Sequence, residues 1–172
     1  LVAAARLLRR YHDAVASFPL GSVTGWDTFF QEKPGAPAEP GDVVCHNDFG
    51  VHNCVFVDGL PWGMIDFDGA APGPPIWDLA ATAWSFVPLN PYVPVADAPR
   101  RLRLICDAYG LADRSAMVDV IHRRVRGLRD ALRATAGTDA PQGGQPADHV
   151  LFCEHVLRFL DANHRALRAS LD

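Results

Sequence analysis

The residues best placed to do chemistry lie in two short stretches. The first is His46-Asn47-Asp48-Phe49-Gly50-Val51-His52-Asn53, and the second is Ile65-Asp66-Phe67-Asp68, with Asp66 13 residues beyond Asn53. An Asp and an Asn on one irregular loop offer a carboxylate and an amide oxygen. A hairpin that returns the chain delivers a second carboxylate beside them. Such a set meets the demands of phosphoryl transfer. One carboxylate receives or orients a hydroxyl proton, oxygen ligands hold Mg²⁺ against phosphates, and the rest is positioning. Taken singly, Asp and Asn beside Gly are ordinary turn residues. The combined spacing, with β-type runs around it, favours a catalytic origin over a turn.

The elements that must hold these residues follow from the pattern. Residues 1–16 read as a helix, with Leu1, Ala4, Leu8, Tyr11 and Val15 on one stripe. Residues 17–41 are broken by Pro and Gly and read as a loop, with a short helical turn around Trp26–Phe30. Val43–Cys45, Cys54–Val57 and Gly63–Ile65 are strand-like, the last two joined through Asp58-Gly59, a hairpin signal. Pro61 puts its strand at an edge. Gly69–Pro75 reads as a turn, and the rest as four helices. These are Asp78–Val87, Pro99–Tyr109 with Gly110 at its C-terminus, a helix capped by Asp113, and a last one carrying Val150, Cys153, Leu157, Leu160, His164, Leu167 and Leu171 inward. Gly137–Pro146 reads as a flexible loop between the last two. The expected fold class is α+β, mainly α-helical, with a small β-hairpin at the site.

Composition narrows the function. At 172 residues with 49% hydrophobic and 21% charged residues, this is one ordinary globular domain or one lobe of a larger one. No apolar run is long enough for a membrane span, and no signal-peptide pattern opens the chain. A net charge of −4 offers no basic footprint for nucleic acid. The four cysteines stand far apart without a CxxC pair, which fits free thiols in a reducing cytoplasm.

His46-x-Asp48-x-x-x-x-Asn53 followed by Ile65-Asp66-Phe67-Asp68 resembles the aminoglycoside phosphotransferase and choline kinase family, a branch of the protein-kinase-like fold. Trp77-Asp78-Leu79-Ala80 resembles the Asp-Leu-Ala segment of that family, and Ala4 to His12 its leucine-arginine helix ending near a His. The resemblance implies a C-terminal lobe over residues 1–172, with the catalytic loop and metal hairpin in 42–70 and a helical substrate subdomain in 78–172. It implies ATP- and Mg²⁺-dependent phosphorylation of a small-molecule hydroxyl, on an aminoglycoside-like or other amino-alcohol acceptor. Asp48 would be the catalytic base, and Asn53 and Asp66 would bind Mg²⁺ with the nucleotide. His46 would brace the loop, Asp68 would assist a second metal or meet the substrate, and Asp78 would tie the loop. The sequence departs from the family at Asn47, where many members carry Gly, and at His52.

The family's N-terminal lobe supplies a phosphate-covering loop and a strand lysine. No strand pattern or Gly-x-Gly loop precedes residue 42, and the one lysine, Lys33, sits in a Lys-Pro-Gly turn. The chain is therefore expected to be impaired or inactive alone, and to expose apolar surface that supports self-association. The alternative is a non-catalytic kinase-like binding module or domain fragment. A more remote one is a metallohydrolase using His46, Asp48 and His52. The plainer readings are a loop cap for Asp68, a helix N-terminal carboxylate for Asp78, core positions for Trp62, Trp77 and Trp84, and a solvated face for Arg123, Arg124, Arg126 and Arg129.

Overall fold

A computed structural model describes residues 1–92, 96–135 and 146–171. Among the described residues, five α-helices and four short strands follow one another as α1 (Val2–Val15), β1 (Val43–Cys45), β2 (Cys54–Val57), β3 (Leu60–Met64), β4 (Ala71–Gly73), α2 (Pro75–Phe86), α3 (Ala98–Tyr109), α4 (Met117–Thr135) and α5 (Pro146–Ala169). This is a mainly helical α+β arrangement. Most of the Gly137–Pro146 segment lies outside the described residues.

Packing holds the helices. α4 lies against both α5 and α2, and α1 lies against α3. Their shared core contains Leu8, Leu79, Leu102, Ile105, Met117, Ile121, Leu160 and Leu167, all buried. Full burial of each such side chain contributes about 1.5–3 kcal/mol. A side-chain N-cap contributes only about 1 kcal/mol, and α1, α2 and α3 have none. Terminal backbone geometry still matters. Pro99 sits in the first turn of α3, and Gly110 ends it at φ 82° with its N–H on the carbonyl of Cys106. That left-handed position favours Gly.

The strands form two separate antiparallel pairs, β1 with β4 and β2 with β3. Asp58 and Gly59 both take positive φ, 51° and 74°, as a tight hairpin turn requires. Pro61 lies in β3 opposite Phe56, beside a bulge. The β1–β4 pair was not legible, because Ala71-Pro72-Gly73 has turn composition. It pairs with β1 all the same, Cys45 opposite Ala71.

Several sequence expectations change. Asp113 caps no helix; its carboxylate accepts the N–H of Ser115, and α4 begins only at Met117. The turn expected at Trp26–Phe30 is reduced to a turn at Phe29-Phe30, while Leu20–Ser22 forms one 3₁₀ turn. Trp62 is not core but 71% exposed on the hairpin. All four cysteines are free and buried. No helix among the described residues is long and apolar enough to cross a membrane.

Candidate active site

The loop between β1 and β2 is fixed from below by a buried carboxylate. Asp78, in the first turn of α2, accepts the backbone N–H of His46 at 2.7 Å and that of Asn47 at 2.9 Å. Its third contact is Nε2 of His12 at 3.0 Å, and His12 Nδ1 meets the Tyr109 hydroxyl at 2.6 Å. A chain of polar contacts thus runs from α3 through α1 and α2 into the loop. Burial alone would push the Asp78 carboxyl up. The hydrogen bonds from His12, His46 and Asn47 outweigh it and leave the group below the ordinary carboxylate range. The carboxylate satisfies backbone N–H groups of the loop, not of its own helix.

His46 is fully buried and joins the two halves of the site. Its Nε2 lies 3.0 Å from the carbonyl of Ile65, and its Nδ1 lies 3.3 Å from the N–H of Asp48. A carbonyl only accepts, so Nε2 carries the proton and Nδ1 accepts from Asp48. Asn47 has φ 66°. Its amide nitrogen donates to the carbonyl of Gly69 at 3.0 Å, while its buried amide oxygen meets no protein donor among the described residues. The left-handed backbone explains why Gly or Asn suits this position.

Asp48 points to the open side and is 42% exposed. Its Oδ2 accepts the Asn53 amide nitrogen at 2.9 Å and faces His52 Nε2 at 3.3 Å. The same Asn53 nitrogen also donates to the carbonyl of Asp48 at 2.9 Å. With the nitrogen so committed, the amide oxygen is the end of Asn53 able to hold a cation. Across the hairpin, the N–H of Ile65 donates to the carbonyl of Asn53 at 3.1 Å. Asp66 follows directly, exposed and at φ 64°. The hairpin thus returns the chain so that Asp66 lies one residue beyond the backbone contact to Asn53, while Asn53 itself touches Asp48. An amide oxygen and a carboxylate are hard donors, and they fit Mg²⁺. Asp68 is exposed on the same turn.

A pocket of about 320 Å³ opens beside Asp48, with His52, Ser85 and Arg124 among its polar walls. Gly50 lets it form. A Cβ there would come within 2.6 Å of His52 and 2.7 Å of the Ser85 hydroxyl. That hydroxyl accepts the N–H of Val51 at 3.1 Å.

Arg124 corrects the solvated-face reading. It is buried, lies over the rings of Phe30 and Trp77 at 5.2 and 5.1 Å, and donates to the carbonyls of Phe30 and Asn47. Burial lowers its pKa to about 10 despite the nearby carboxylates of Asp78 and Asp48. Four arginines on one helix read alike in sequence; only the apolar residues around position 124, Val120, Ile121, Val125 and Leu128, hint that it turns inward. The metallohydrolase set does not assemble. Both ring nitrogens of His46 are engaged, and among the described residues no group of three or more His, Cys, Asp or Glu is placed to hold a metal.

The profile of the phosphotransferase enzyme family matches residues 2–117. The chain belongs to that family. It is also similar to a trifolitoxin immunity protein of Rhizobium leguminosarum bv. trifolii, 31% identical over 180 residues. That alignment covers 96% of this chain and 66% of the relative. No solved structure gives a significant match. Family membership implies a protein-kinase-like fold and a phosphotransferase type of function.

Proposed function

We propose that this phosphotransferase-family chain forms the catalytic-loop lobe of an enzyme that moves the γ-phosphoryl group of ATP onto a small-molecule hydroxyl. The observation that carries this reading is Asp48 lining an open pocket with its Oδ2 on Asn53, whose carbonyl receives the N–H of Ile65, the residue before Asp66. Asp48 is the group that takes the acceptor proton. Its Oδ2 is held by Asn53 and His52, so the carboxylate is aimed before the acceptor arrives. Asn53 and Asp66 are the residues that would hold Mg²⁺, which when bound would neutralise phosphate charge. His46 ties Asp66's turn to Asp48's backbone, and Asp78 holds that loop from α2. Asp68, exposed beside Asp66, is the residue available to a second ion or to substrate.

Phosphate transfer from radiolabelled ATP, wild type against Asp48→Asn, tests the reading. Loss of general-base catalysis costs about 10²–10⁴-fold, and Asp48→Asn should leave folding intact because the side chain is half exposed. Measurable transfer that is equal in the two proteins contradicts the assignment.

The relative's name favours a second reading, in which the protein protects a cell against a toxin. Survival of a toxin-sensitive strain expressing wild type or Asp48→Asn separates the two modes. Protection lost with Asp48→Asn ties it to phosphoryl transfer. Protection retained assigns it to binding alone.

A further inference from the structure

Resting on the phosphotransferase reading, the geometry points to an acceptor of one chemical class: a flat, uncharged, largely apolar alcohol of one or two rings, not an amine-bearing one. Four observations lead there.

The first is charge. Among the described residues lining the pocket, Asp48 is the sole carboxylate, and it is already assigned to the hydroxyl proton. Three acidic side chains of α4 and α5 are engaged elsewhere: Glu154 with Arg133, Asp161 with His122, and Asp119 with His164. The cation on the wall, Arg124, has its donors on two backbone carbonyls. A polycationic acceptor in this pocket would meet a buried guanidinium and, among the described lining residues, no carboxylate besides Asp48.

The second is the wall chemistry. Phe30, Ala81, Trp84, Pro88, Leu128 and Phe152 line the same pocket as Asp48 with apolar surface. Burying a matching apolar ligand there is favourable in proportion to the area covered.

The third is ring geometry. Trp84 and Phe152 stack at 6.2 Å with planes 21° apart, and Tyr92 continues the stack on Phe152 at 6.1 Å and 17°. An ammonium cage needs ring faces that converge on the cation. Here the Trp84 and Phe152 faces are turned to one another, so they do not converge on a cation, while both residues line the pocket as apolar wall.

The fourth is size. A volume of about 320 Å³ stands at the lower end of small-molecule sites, which run from about 300 to 1,000 Å³. In the transfer, a bond forms between the acceptor oxygen and the γ-phosphorus as the bond from that phosphorus to the bridging oxygen of ATP breaks. The hydroxyl proton passes to Asp48, leaving a phosphate monoester and ADP.

Calorimetric titration of the protein with 2-(2-naphthyl)ethanol, choline and 2-deoxystreptamine, without nucleotide, tests this directly. The naphthyl alcohol should bind saturably, and the two amines at least tenfold more weakly. Trp84→Ala and Phe152→Ala should each weaken the naphthyl alcohol about tenfold, the loss of one well-placed aromatic contact. Trp84 packs against the core, so Phe152→Ala, at a rim position 37% exposed, is the variant that keeps the fold. Choline or 2-deoxystreptamine binding as tightly as the naphthyl alcohol overturns the inference. So does absence of naphthyl binding, or an unchanged affinity in Phe152→Ala. Binding as expected, together with ATP binding that ignores Mg²⁺ and Asp66→Ala, upholds the pocket chemistry and removes the phosphotransferase reading instead. Asp48-dependent transfer to choline with no naphthyl binding does the reverse.

Discussion

Replacing Asp78 by Asn exposes how much the loop depends on one carboxylate. In the wild type, two backbone N–H groups and the His12 ring converge on it, at 2.7, 2.9 and 3.0 Å, with the side chain fully buried. Asn keeps the shape but replaces one acceptor oxygen with an NH₂ group that faces a donor. A hydrogen bond to a charged group contributes about 1.5–3 kcal/mol, and a buried donor left without a partner costs about 1–3 kcal/mol. Losing one such contact and weakening the others gives about 2–4 kcal/mol. That is a large share of the 5–15 kcal/mol typical of a domain. Urea unfolding followed by far-ultraviolet circular dichroism measures it. The pH dependence adds a second signature. The folded carboxyl lies below its unfolded value of 3.8, so the unfolded state binds the proton more readily. The Asp78 contribution is complete above about pH 4 and is lost as the pH falls through the folded value. The Asn variant should lack that acid-side loss. A destabilisation below about 1 kcal/mol, with the acid limb unchanged, would refute the account of the loop.

Two further outcomes follow from the same scaffold. Arg124→Lys removes a planar fork that reaches two carbonyls while lying over two rings, and should cost about 1.5–3 kcal/mol in urea unfolding despite keeping the charge. At position 47, both Gly and Ala lose the amide bond to Gly69, but only Ala bears the left-handed penalty of about 1–2 kcal/mol; Asn47→Gly should therefore be the more stable of the two by thermal unfolding, and the reverse order would show that backbone strain does not govern this site.

The sequence reading places the loop and hairpin better than their surroundings, for physical reasons. The loop and hairpin residues act through local spacing, so His46, Asp48, Asn53 and Asp66 were legible in one dimension. The Asp58-Gly59 turn, which brings the last of them back, has its own local chemistry. β4 was hidden because pairing with β1 overrides the turn composition of Ala71-Pro72-Gly73. Arg124 was hidden because its burial depends on Phe30 and Trp77, which lie far away in sequence. Trp62 misled in the other direction: hydrophobicity suggested core, yet its place on a two-stranded hairpin leaves it exposed. His12 was visible as a helix-end residue, but its role depends on Asp78, 66 residues away.

The most direct test of the central claim is a calorimetric titration of ATP into the protein with and without Mg²⁺, repeated on Asp66→Ala. If Asn53 and Asp66 together hold the ion that bridges to phosphate, binding will be Mg²⁺-dependent and at least tenfold weaker in Asp66→Ala, a change of about 1.4 kcal/mol. Binding that ignores Mg²⁺, or that is equal in wild type and Asp66→Ala, contradicts the assignment of this loop and hairpin as a phosphoryl-transfer site.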